Sequence, residues 1–356
     1  MRRPPRNTRG APMCPAPSTG SSSVKTIFRA LAVAGALATS AAIPAFAQDI
    51  KVGLSLPEGM ADFDFINGMY ETFKSEVEAN SDMTVDIVYG GALGAPNDRL
   101  AQMRRGVIQM SDAADGNIAT VFPDIQILNM PYLFSSIEQA RAVLDGEFGD
   151  ALAESLREET GIKVLGWWES GGFKHFSAST PIATPADMEG LKMRVLGPLA
   201  TIPVEALGAS AAPVAFSELY TSLKTGVVDG QDNSVTVFNL VKLYEVQPHL
   251  SLTAHTYAFG PLGINDGFFS GLDADKQAVI MAAAEAAITF NRDTSSAKDS
   301  AAVDFARENG VEVLELDDAA KAAFAEIMQP VAIEWLKENV DTPALVDEAI
   351  SAAEAE

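Results

Sequence analysis

The sequence predicts an α/β protein, long enough for two domains or a bilobal fold. Strand-like and helix-like hydrophobic periods alternate along most of the 356 residues. Glycine and proline clusters mark the changes of period, and no internal repeat or coiled-coil heptad interrupts the alternation. The chain is also long enough to bury more than one sizeable core.

The first 47 residues stand apart. Lys25 and Arg29 precede an apolar run, Ala30 to Ala42, that is too short to span a bilayer, and Ala45-Phe46-Ala47 supplies an A-x-A cleavage site before Gln48. This reads as a secretory signal peptide, with Met13 an alternative start behind an Arg/Pro/Ser-rich stretch. Cys14, the one cysteine, lies upstream of the apolar run, so a cleaved protein is free of disulfides. Cleavage leaves 309 residues and removes six basic residues with no acidic one, taking the formal net charge from −23 to −29. Such a surface argues against nucleic acid and anionic membranes as partners. After residue 48 no stretch is long and apolar enough for membrane insertion.

In chain order, Lys51 to Leu56 alternates as a first strand. Ile66, Met69, Tyr70, Phe73 and Val77 then fall at helical spacing on one face. Thr84 to Tyr89 reads as a second strand, and Gly90, Gly91 and Gly94 punctuate the turn before a helix that follows Pro96. Ile108 to Ala113 reads as a third strand. Ile162 to Trp168 and Phe173 to Ser177 read as two further strands around Gly171-Gly172, where the chain is expected to cross between lobes. Leu191 to Leu196 and Val227-Val228 continue the second lobe, with helices beginning near Leu199 and Phe216. Thr253 to Ile264 returns to the first lobe. Asp273 or Asp275 caps a long Ala-rich helix running to about Glu308, and Lys321 to Asn339 forms another.

Enzyme signatures are sparse. There is no H-E-x-x-H and no cysteine pair, and His175, His249 and His255 are scattered, which argues against zinc. Gly208-Ala209-Ser210-Ala211-Ala212 breaks the G-x-S-x-G elbow at its last position. The GGALG run at 90–94 has neither dinucleotide spacing nor a Walker lysine. No cofactor, metal or catalytic residue is therefore expected. The informative stretch runs from Trp167 to Asn233. Within it Arg194 lies near the end of a short apolar strand, bracketed by glycines and prolines. A guanidinium there offers two parallel donors to a carboxylate and keeps its charge. It reads equally as a structural arginine paired with one of the chain's many acids.

GLKMRV after PADMEG, ELYTSLKTGVVDGQDN, LGAPNDRLAQMRRGVIQM (93–110) and MPYLFSSIEQARAVLDG (130–146) occur in this order. Together they resemble the solute-binding proteins of tripartite ATP-independent periplasmic (TRAP) transporters, of the dicarboxylate-binding type. The resemblance covers nearly all of the chain after Asp49. It implies a bilobal periplasmic-binding-protein-like fold, with a ligand cleft between two α/β lobes and a long helix spanning both. Residues 48–172 with about 253–272 would form the first lobe and 173–252 the second. The long helix and C-terminal helices would occupy 273–356.

The resemblance also implies a periplasmic, monomeric protein that captures a small organic acid for a TRAP permease, with Arg194 holding the carboxylate. Lys174 stands where the family often has arginine, and reads either as an anion-binding ammonium or as a solvated hinge lysine. Asn233 is expected to cap the carboxylate or a helix, and Phe216 to form an aromatic wall or pack in the core. Trp167 and Trp168 point to opposite faces of a strand, so one is expected to line the cleft and the other to pack in the core, with Trp168 the candidate for the cleft. Glu58, Asn67 and Asp115 lie in first-lobe loops positioned to read the distal end of the ligand. The competing functions are a secreted hydrolase of an acidic substrate and a binding protein that feeds a sensor.

Overall fold

The computed structural model describes residues 49–59 and 64–356; the expected signal peptide, with Met13 and Cys14, lies outside the described residues. Among the described residues nine strands form one mixed sheet. They are β1 (Asp49–Gly53), β2 (Thr84–Val88), β3 (Met110–Ser111), β4 (Ile162–Ala178), β5 (Lys192–Val195), β6 (Ser210–Pro213), β7 (Gly230–Asn233), β8 (His249–Asn265) and β9 (Glu312–Glu315). The order is β2-β1-β3-β8-β4-β7-β5-β6, with β9 beside β8. At one end β1 pairs in parallel with β2 and β3, and at the other β5 pairs in parallel with β6 and β7. The 17-residue strands β4 and β8 run antiparallel between these ends and join them.

The two strands expected around Gly171-Gly172 are thus one continuous strand. The β4–β8 register shifts between Glu169 and Phe173 and again between Lys174 and Phe176. Gly171 and Gly172 adopt φ of 78° and 74°, a left-handed backbone in which a side chain is strained. The kink therefore falls at the glycines without breaking the pairing on either side.

Two expected strands differ from expectation. The third shrinks to Met110–Ser111 because the next residue, Asp112, turns its carboxylate to Arg99 (Nη2–Oδ1 2.6 Å) and to the Ser55 N–H (2.7 Å). Val227-Val228 is a turn, since both N–H groups donate back to the Ser222 carbonyl and are lost to a sheet ladder. The strand begins three residues past Val227, at Gly230.

Helix starts follow the expected capping chemistry. Asp273 accepts from the Lys276 N–H at 2.9 Å and opens the 35-residue helix Ala274–Glu308. Asp317 does the same for Asp318–Asn339 through the Ala320 N–H at 2.8 Å. The first helix, Asp64–Asn80, buries Met69, Tyr70, Phe73 and Val77 against β1, β2 and the long helix. Ile280, Ala284 and Ile288 of the long helix pack in that same core, and Ala302 and Ala306 pack in a second one with Leu250 and Phe238. Phe324 and Met328 join Phe176 and Met193, whereas Ala332 and Leu336 of the same helix join a core containing Leu128, Leu152 and Phe259.

Candidate ligand-binding site

A cavity of about 570 Å³ opens where Lys174 and Phe176 of β4, Arg194 of β5, Asp232 of β7 and His255 of β8 converge. Opposite them lie Asn97, Asp115, Asn117, Gln126 and Asn129. The size falls within the range that encloses a small organic molecule.

Arg194 sits in β5 between β6 and β7 and is 3 % exposed. Its Nε donates to the Val214 carbonyl at 3.0 Å. Nη2 is buried and has no hydrogen-bond partner among the described residues. Burial lowers the pKa of the guanidinium, and the negative charge of Asp232 acts against that shift. Leaving a buried charged donor unsatisfied costs several kcal/mol by order of magnitude, so the geometry suits an anion that completes the fork. Gly197, at φ 88°, turns the chain from β5 into the helix Pro198–Ala206, whose first turn (Pro198, Leu199, Ala200) also lines the cavity. The N–H groups of a first helical turn lack intrahelical partners, and the helix dipole favours negative charge beside them.

Asp232 is the counterweight. Burial opposes its ionisation, but hydrogen bonding to His255 and the charges of Lys174, His255 and Arg194 prevail and hold the carboxyl well below the usual range. His255 Nε2 lies 3.5 Å from Asp232 Oδ2. The His255 ring stacks on Phe176 with centroids 4.1 Å apart, and its Nδ1 lies 2.8 Å from Thr253 Oγ1. On the far wall, Asn117 Nδ2 donates to Asn97 Oδ1 at 2.9 Å and Gln126 Nε2 donates weakly to the Pro123 carbonyl at 3.4 Å. Asn129 Oδ1 is buried and has no partner among the described residues.

Of the residues expected at the site, the structure brings together Arg194, Lys174 and Asp115. The others lie elsewhere, for physical reasons. Trp167 and Trp168 do face opposite sides of β4, but both are buried in cores, and Trp168 Nε1 donates to the Pro261 carbonyl at 3.2 Å. Asn67 is buried against the Pro57 carbonyl (3.0 Å), and Glu58 borders a separate shallow pocket with Glu71 and Lys74. Phe216 is 45 % exposed in a short 3₁₀ turn, forming neither the cavity wall nor part of a core. Asn233 lies on β7 next to Asp232, and its amide donates to Gln231 Oε1. The expected helix cap there is the following residue, Ser234, which accepts from the Val237 N–H at 3.3 Å. Sequence reasoning missed Asp232, His255 and Asn129. Asp232 had a signal, since it stands in the DGQDN run one residue from Asn233.

Residues 60–339 match the family described as bacterial extracellular solute-binding protein, family 7. The chain is similar to the 2,3-diketo-L-gulonate-binding periplasmic protein YiaO of Escherichia coli, 30 % identical over 306 residues, 86 % of this chain and 92 % of that one. It is likewise 30 % identical to the C4-dicarboxylate-binding periplasmic protein DctP of Rhodobacter capsulatus over 345 residues, 93 % and 99 % of the two chains. A TRAP periplasmic solute-binding protein from a Sulfitobacter species, solved with bound β-D-galacturonate, superposes with a TM-score of 0.77 at 29 % identity, covering 87 % of this chain and all of the other.

Proposed function

The chain belongs to family 7 of the bacterial extracellular solute-binding proteins, and we propose that it captures a small organic acid in the periplasm and delivers it to a TRAP-type permease. The observation that carries the ligand class is the buried Arg194 guanidinium, with Nη2 unpartnered at the cavity. A ligand carboxylate accepts from Nη2 and lies near the first turn of Pro198–Ala206. Lys174 adds a point charge and Asp115 faces the distal end.

Each hydrogen bond to a charged group contributes about 1.5–3 kcal/mol. A few such contacts, less the cost of ordering the ligand, give affinities of order micromolar to nanomolar. On this reading the lobes divide around Gly171-Gly172 in β4, where the β4–β8 register shifts, and near Ala254 in β8, where φ is 48°. Closure over the ligand would exclude water and strengthen each ionic contact. Cleavage after Ala47 accompanies export, and the protein acts as a monomer without chemical turnover.

The test uses residues 48–356. Titration calorimetry against carboxylic acids and neutral sugars should find binding to acids alone, with the ligand recovered unchanged. Arg194→Gln should weaken the acid at least about 100-fold, because it removes the charged fork, while leaving the far-UV spectrum unchanged. The ligand-free variant should melt no lower than within a few degrees of wild type, since it loses an incompletely paired buried charge. A sharp loss of ligand-free stability with unchanged affinity would make Arg194 structural and defeat this assignment.

A further inference from the structure

Resting on the closure that accompanies ligand capture, we propose that Pro330 is a joint at which the helix Asp318–Asn339 bends, and that Tyr132 ties this joint to the bend of β8. The first observation is where the proline falls. Phe324 and Met328, before it, pack in the core of Phe176 and Met193, whereas Ala332 and Leu336, after it, pack in the core of Leu128 and Phe259. The helix thus changes core between Met328 and Ala332, and Pro330 stands midway. Met328 lines the cavity, and the helix Pro198–Ala206, whose first turn lines it too, packs on this same helix. A bend at Pro330 therefore moves one wall of the cavity while the later half of the helix stays with the other core. Proline has no N–H for the Glu326 carbonyl four residues back, and its ring crowds that oxygen, so one rung of the helical ladder is missing. Glu326 and Pro330 are both exposed, which lets water hydrate the freed carbonyl. A rung absent at every angle opposes no bending, whereas an intact one would be stretched. Either half remains a regular helix, and the bend is confined to one turn.

The second observation is a line of hydrogen bonds from the joint to β8. Gln329 Nε2 donates to the Tyr132 carbonyl at 3.3 Å, and the Tyr132 N–H donates to the His255 carbonyl at 2.8 Å. Tyr132 and Ala254, the neighbour of His255, hold left-handed φ of 56° and 48°. A residue with a side chain keeps that conformation only where its surroundings impose it. Besides Lys242 they are the only non-glycine residues so held among the described residues. The β4–β8 register shifts at the same place, between Lys174 and Phe176. Tyr132 thus stands one hydrogen bond from the strained backbone of β8 and one from the residue beside the missing rung, so the strand and the helix bend together.

The test is pulsed dipolar EPR on residues 48–356, which contain no cysteine of their own. Spin labels are placed at Ser75→Cys and Glu205→Cys, exposed positions on the helices Asp64–Asn80 and Pro198–Ala206. Distances are recorded without ligand and with D-galacturonate, galactonate, succinate and orotate, each in large excess, and the affinities are measured by calorimetry. At least one acid should shift the distance between the labels by several Å. Pro330→Ala restores the rung to Glu326, and should cut that shift by about half or more and weaken the acid about 10-fold, because a closed state that is harder to reach lowers the apparent affinity. Pro330→Gln, at the same exposed position, serves should the alanine variant fold poorly. Gln329→Leu keeps the proline and cuts the tie to Tyr132, and should give a smaller loss in the same direction. A proline that only fixes the curvature of the helix would leave shift and affinity unchanged in the Pro330 variants, which overturns the joint. Unchanged values in Gln329→Leu overturn the tie, and organic-acid capture stands in both cases. If no acid binds the unaltered protein, organic-acid capture fails, and the ligand-free distances decide the joint. Pro330→Ala should narrow their distribution, and an equal width overturns the proposal.

Discussion

Successive side chains on a strand face opposite sides, and this parity decides which residues of β4 and β7 reach the cavity. Lys174 and Phe176 line it, and His175 between them does not. His175 is instead buried, with Nδ1 accepting the Ala254 N–H at 3.0 Å. Burial, reinforced by His255 and Lys321, pushes its pKa down from 6.5 to about 3. A histidine held neutral in the fold stabilises fully above its unfolded pKa, and that stability drains away as pH falls from about 6.5 toward about 3. The expected share lost between pH 7.5 and pH 4.5 is about 2–3 kcal/mol. His175→Gln keeps an acceptor but cannot take up the proton, so its urea-unfolding free energy should fall less over that interval by about this amount. Equal slopes for the two proteins would show that His175 does not titrate as described. The same parity separates what was legible at the site from what was not. Arg194 and Lys174 stand out as cations set among glycines and apolar residues in a strongly acidic chain. His255 and Asn129 look ordinary in sequence, and Asp232 is marked only by its place in the DGQDN run, because long-range strand pairing and the turn before Pro131 bring them to the cavity.

Helix ends and amphipathic faces were readable because their causes are local. Asp273, Asp317 and the spacing of Met69, Phe73 and Val77 act within a turn or two of the chain. Strand extents were not, because a strand ends where its partner or its N–H groups are lost, as at Asp112 and at Val227-Val228. The most consequential misreading was the break expected at Gly171-Gly172. Glycine does mark a change in backbone direction there, but the β8 partner continues past it, so one strand carries the change as a shift in register. Gly171 has φ 78°, and a Cβ added to it would meet Ser234 Oγ at 2.5 Å and Thr236 Cβ at 3.1 Å. Ser234 is the residue that caps the helix Val235–Leu240. Gly171→Ala therefore combines left-handed strain with displacement of a cap, for an expected loss of about 2–3 kcal/mol. Gly190 has the same φ of 78° but open space around its Cβ position, so Gly190→Ala should cost only about 1 kcal/mol. Thermal melts that rank the two variants in the opposite order would place the strain elsewhere.

Among the described residues four hydrophobic cores flank the sheet, and each draws on separate stretches of chain. The helix Ala274–Glu308 contributes Ile280, Ala284 and Ile288 to one core and Ala302 and Ala306 to another. The helix Asp318–Asn339 divides its buried face the same way, with Phe324 and Met328 in the core of Phe176 and Ala332 and Leu336 in that of Leu128. Strands β4 and β8 supply ladder bonds to both ends of the sheet. Unfolding either end alone would strip a rigid helix of half its packed face and leave long strands half paired. Such partial states forfeit much of the hydrophobic gain while recovering only part of the chain entropy. Residues 48–356 should therefore unfold in a single calorimetric transition, with equal calorimetric and van't Hoff enthalpies. Phe324 is fully buried, and Phe324→Ala is expected to remove about 3–5 kcal/mol. Because that ring belongs to a helix shared between cores, the loss should move the whole endotherm to lower temperature without splitting it. Two resolved transitions, with only one displaced by Phe324→Ala, would show instead that the ends of the sheet melt independently.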